Sequence, residues 1–148
     1  MTPDGIAASD WDRVHELGVE IVNCTAADDA RGEACARLSL MRVLDDLEKK
    51  YGTKPSLLAT RADYVESTDE REWLLLAAFT EAERTGDDRN RELIADSLAH
   101  FYIEAVSAFD QGAKWLAVWR DTLGPEPDSD DRGKMARLES ILLAGGGA

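Results

Sequence analysis

Apolar residues return every three or four positions along almost the whole of this chain, and that spacing commits it to helix. Val14, Leu17, Gly18 and Ile21 share one face, as do Leu40, Leu44, Leu47 and Tyr51, with Leu38 and Met41 beside them. The most apolar stripe is Ile94, Leu98, Phe101, Ala105 and Phe109, widened by Tyr102 and Val106. Residue types agree with the spacing. Ala (21) and Leu (17) dominate, while Val and Ile together supply 12 residues, a bias against sheet. No segment shows strand alternation closed by hairpin turns.

Start and stop signals cut the pattern into about seven helices. Ser9 or Asp10 can cap a first helix to about residue 23, and Asp28 or Asp29 a second to about residue 50, stopped by Gly52 and Pro55. A third runs from about 55 to 66. Ser67 and Glu70 form a capping-box pattern opening a fourth, 69–84, with Trp73, Leu74, Ala77 and Ala78. Gly86 ends it, and Asp87 or Asp88 caps a fifth, 89–108, expected to be central. Asp110 can cap a sixth, with Trp115, Val118, Trp119 and Leu123. Gly124-Pro-Glu-Pro127 breaks the chain before a last helix, 130–143, carrying Met135, Leu138, Ile141 and Leu142. The expected architecture is all-α, in antiparallel hairpins joined by short loops. It reads as one domain: a hairpin array over 10–123, a loop at 124–129, a capping helix, and a mobile tail at 144–148.

Gly52 and Gly86 lie 34 residues apart, each after one helix and before another. Leu17-Gly18-x-x-Ile21 and Leu98-Ala99-x-x-Tyr102 place a small residue where paired helices approach, and Ala62 and Val65 hold the corresponding places between them. In these features the chain resembles a tetratricopeptide-like array of about three hairpins. The resemblance implies a right-handed array and peptide or protein binding in a groove; a compact helical bundle is the alternative packing. The residues expected to meet such a partner are Tyr64, His100, Tyr102, Trp119 and Arg120, Trp and Arg being favoured interface anchors. Trp11 and Trp73 are expected in the core.

Charge limits the function classes. With 17 Lys and Arg against 30 Asp and Glu, the net charge is −13, unsuited to nucleic acid or an anionic membrane surface. Eleven acids against four bases lie between Asp63 and Asp96, and five acids with no base between Asp121 and Asp131. That surface suits a basic partner. The alternative function is therefore an acidic inhibitor, of the immunity-protein kind, that occludes a basic toxin or nuclease through Asp87, Asp88, Asp128, Asp130 and Asp131.

Catalytic signals are sparse. Asp96, His100 and Glu104 share a helix face at spacings of four, a set that could hold a divalent metal or share a proton in a helical-bundle enzyme. Their ordinary reading is a solvated face with i, i+4 pairs. His15, with Asp12 before it, does not supply a second Glu-x-x-His. There is no nucleophile elbow or phosphate loop, so a non-enzymatic protein without metal or cofactor is expected. Cys24 and Cys35 form no C-x-x-C pair and are expected reduced and partly buried. The first residues lack the pattern of a secretory leader, and the longest apolar run, Trp73–Phe79, is far short of a bilayer span, so a cytoplasmic location is expected.

Overall fold

The computed structural model describes residues 1–146. Among them are seven α-helices and no strand: α1 (Ala8–Ala26), α2 (Ala30–Tyr51), α3 (Pro55–Tyr64), α4 (Thr68–Thr85), α5 (Asp88–His100), α6 (Phe109–Leu123) and α7 (Ser129–Gly146). A π-helical turn, Phe101–Ala105, follows α5 directly. The all-α expectation holds. Helix lengths of 19, 22, 10, 18, 13, 15 and 18 residues give no recurring hairpin unit. The glycines 34 residues apart do the same local job. Gly52 and Gly86, at φ of 83° and 67°, each take a positive φ just past a helix end, as Gly124 also does at 79°. The chain divides into two compact units, Met1–Leu74 and Leu75 onward, with the division inside α4.

In the first unit the predicted stripes meet. Val14, Leu17 and Ile21 of α1 pack with Ala36, Leu40, Leu44 and Leu47 of α2, and Ile6 and Leu57 close the cluster. Polar groups pin its edges. Lys54, at the start of α3, offers no capping side chain. Asp4 caps the helix instead, accepting from the Ser56 amide at 2.7 Å and hydroxyl at 2.8 Å, which satisfies a buried serine. Carbonyls at the other end of α3 are met by guanidinium groups. Arg71 donates to the Ala62 and Val65 oxygens at 3.1 and 3.3 Å, and Arg37 to that of Tyr64 at 3.3 Å. Asp10 bonds Tyr51 and, at 2.7 Å, Lys50, and these partners hold its carboxyl below the usual range.

In the second unit α5 and α6 form the main hairpin, flanked by α7. Ile94, Leu98, Leu116, Trp119, Met135 and Leu138 are buried, and Phe79 meets Trp115 edge-to-face at 4.8 Å. The fifth helix, expected to continue to 108, stops at His100. The π turn that follows takes up more residues per turn and shifts the phase of the stripe. Phe101, Tyr102 and Ile103 are buried in succession, whereas Ala105 and Val106, expected on the apolar face, are exposed. Gly112 of α6 packs against this turn: a Cβ there would stand 2.4 Å from Ile103 Cγ1. α7 continues through Gly145 and Gly146, where a tail was expected; residues 147–148 of that expected tail lie outside the described residues.

Candidate binding surfaces

In the first unit a groove of about 390 Å³ opens between α1 and α3. From α1 it takes Trp11, Val14, His15, Gly18, Val19 and Val22, and from α3 Thr60, Asp63 and Tyr64. Gly18 keeps the floor low. A Cβ there would lie 2.9 Å from the Tyr64 hydroxyl, so the close approach anticipated at this glycine is made by a side chain of α3. Val19 and Val22 are 46% and 65% exposed. Trp11 and Tyr64, half-buried, pack on the core with part of each ring left outside. Desolvation pushes the Asp63 carboxyl upward, while the charge of Arg71 pulls the other way.

Tyr64 is the expected partner-binding residue that lines this groove. His100, Tyr102, Trp119 and Arg120 belong to the second unit, and there the expectation of an exposed aromatic patch is corrected. Tyr102 and Trp119 are 4% and 1% exposed, because each completes the core around the α5–α6 hairpin. Trp119 offers its ring to His100 at 5.8 Å between centroids. Arg120 is exposed and ion-paired to Glu139. Trp73, expected in the core, is 65% exposed. The groove residues missed in the sequence, Val19 and Val22, fall outside the α1 stripe; apolar residues off the buried face were the available signal.

The trio Asp96, His100 and Glu104 does assemble. His100 Nδ1 lies 2.8 Å from Asp96 Oδ1, and Nε2 3.8 Å from Glu104 Oε1. Arg137 of α7 reaches the same Glu104 oxygen at 2.5 Å. The Asp96 hydrogen bond raises the imidazole above its usual pKa, against the opposing pull of desolvation. Each ring nitrogen thus faces a carboxylate, one of them shared with an arginine, which is the arrangement of an ion-pair hub. Among the described residues no group of three or more His, Cys, Asp or Glu side chains is placed to hold a metal ion.

The five acids of the expected patch divide by task. Asp87 and Asp128 are helix caps, accepting from the amides of Asn90 at 3.0 Å and Asp131 at 2.8 Å. Asp88 pairs with Arg91 at 3.3 Å and Asp130 with Lys134 at 3.5 Å. Asp131 is pushed upward by desolvation and then by Asp128. Both cysteines are free thiols; Cys24 is half-buried, whereas Cys35, expected partly buried, is exposed. Among the described residues no helix is long and apolar enough to cross a membrane. No protein-family model, curated protein or solved structure matches this chain.

Proposed function

We propose that this chain is a non-enzymatic protein-interaction domain whose binding surface is the α1–α3 groove, with Tyr64 in its wall. The observation that carries this reading is an open apolar channel with solvent-exposed Val19 and Val22 at its lip. The occupant is a polypeptide segment with an apolar face and a basic side chain. Asp63 stands at one rim. Asp12 and Glu16 precede Val19 by seven and three residues, on the same face of α1, and the chain carries a net charge of −13. Together the exposed fractions of Val19 and Val22 amount to roughly one whole valine, about 1.5–2 kcal/mol of burial. That is too little for specific association, so the aromatic faces of Trp11 and Tyr64 carry the rest.

The test is capture of partners from the native host's lysate, quantified by mass spectrometry, with wild type and with Val22→Glu. A partner held by wild type in roughly 0.5 M salt and lost with Val22→Glu supports the groove. Capture indifferent to Val22→Glu refutes it. A basic partner released by salt alone replaces it with the acidic-inhibitor reading, in which contact is led by charge.

A further inference from the structure

We propose that the second unit carries a separate small-molecule site, a cavity for a ligand with one carboxylate on an apolar, preferably aromatic, body. The cavity measures about 410 Å³ and is lined from α4, α5 and α6. That is room for on the order of a dozen non-hydrogen atoms. Phe79 and Trp115 form its apolar wall, and Arg91 and Lys114 bring two cations to it.

The state of the two cations argues for an acceptor. Arg91 Nε is shielded from solvent and has no hydrogen-bond partner. Its guanidinium is tied through Nη1 to Asp88 at 3.3 Å, and Asp88 is 90% exposed, a weak hold. A shielded donor without an acceptor is a standing cost in the free protein, which an incoming acceptor removes. Lys114 has no carboxylate within ion-pair distance among the described residues, and its Nζ stands 5.7 Å from the centre of the Trp115 ring. A carboxylate taken side-on by Nε and Nη2 of Arg91, after a small turn of the guanidinium, meets the unmatched donor in the planar geometry that arginine prefers. The ligand body then lies against Trp115, next to Lys114. Glu83 and Asp121 also line the cavity, so the wall is balanced in charge. With no net positive charge to draw in a dianion such as a phosphate monoester, the site takes a single carboxylate through its contact with Arg91.

The experiment is an NMR titration of the full-length ¹⁵N-labelled protein with 3-phenylpropionate, and with 3-phenylpropanol as the neutral counterpart. The Trp115 indole N–H and the Arg91 Nε–H report occupancy. The acid is expected to give saturable shifts with a Kd on the order of 1 mM, and the alcohol to bind about tenfold more weakly, the effect of one charge-assisted contact. Arg91→Gln is expected to lose about tenfold in affinity for the acid. Lys114→Met, at an exposed position, is expected to lose a smaller, several-fold amount. Arg89→Gln, whose arginine pairs with Glu92 outside the cavity, leaves binding unchanged. Equal binding of acid and alcohol overturns the proposal, as do wild-type affinity in both cavity variants and no saturation by roughly 50 mM acid. Should Arg91→Gln fail to fold, the acid-to-alcohol ratio on wild type and the Lys114→Met result decide.

Discussion

His100 occupies both ring nitrogens with carboxylates of its own helix segment, Asp96 and Glu104, while Arg137 and Lys134 of α7 bear on those same carboxylates. Its folded-state pKa is raised, chiefly by the Asp96 hydrogen bond. The protonated form is therefore favoured more in the folded protein than in the unfolded chain, whose imidazole titrates near about 6.5. The resulting stabilisation is complete below that value and is lost as pH rises through the higher folded value. Urea midpoints for wild type and His100→Gln should diverge at low pH and converge as pH rises above about 6.5. Parallel profiles would remove the imidazole from the account. The helix-face trio was legible because a four-residue spacing fixes it. Arg137 was not, since it lies 33 residues from Glu104 and reaches it only through packing of α7. Trp73 and Trp119 make the same point in opposite directions: both are large apolar residues on helices, yet one is 65% and the other 1% exposed.

Helix boundaries depend on local chemistry, and most were readable for that reason. Asp29 caps α2, Asp87 caps α5, and Ser67 accepts from the Glu70 amide at 3.2 Å, as the capping-box pattern predicts. Asp87→Ala tests how much such a start is worth. Asp87 accepts from the Asn90 amide and, at 2.6 Å, from its buried side chain, so the loss should be about 1–2 kcal/mol in a denaturant titration. Asp88→Ala, removing one exposed ion pair, should cost under about 0.5 kcal/mol. Equal losses would deny Asp87 its special place. Two starts, one cap and one interruption were hidden: α1 begins at Ala8 behind Ala7 with no side-chain cap, and Asp10, expected as its cap, bonds Lys50 and Tyr51 instead. α3 is capped by Asp4, 52 residues before Ser56, and α6 begins at Phe109 behind Ala108, which donates no side-chain cap. The π turn over Phe101–Ala105 packs against Gly112, and no residue in it breaks the helical pattern. Hence the fifth helix read as twenty residues when it is thirteen.

Over the whole molecule the excess of acids sets a background repulsion, with 17 − 30 = −13 charges on 148 residues. Most of the ion pairs are at least partly exposed and individually weak. Screening should therefore relieve more repulsion than the attraction it removes, and Tm should rise as sodium chloride increases from about 10 to 200 mM. A falling Tm would show that the paired charges outweigh the unpaired ones. Not all of these acids are interchangeable. Asp29, Asp87 and Asp128 each hold the first turn of a helix by accepting an amide proton. Anyone recasting the chain with a neutral surface would find charge removable from the exposed flanks of α1 and α4, but not from those three places without conceding a helix start. The acidity of this protein is thus partly a by-product of how its helices begin, and natural variants that drift toward neutrality should retain those three aspartates, or trade them for serine, threonine or asparagine, longer than the rest.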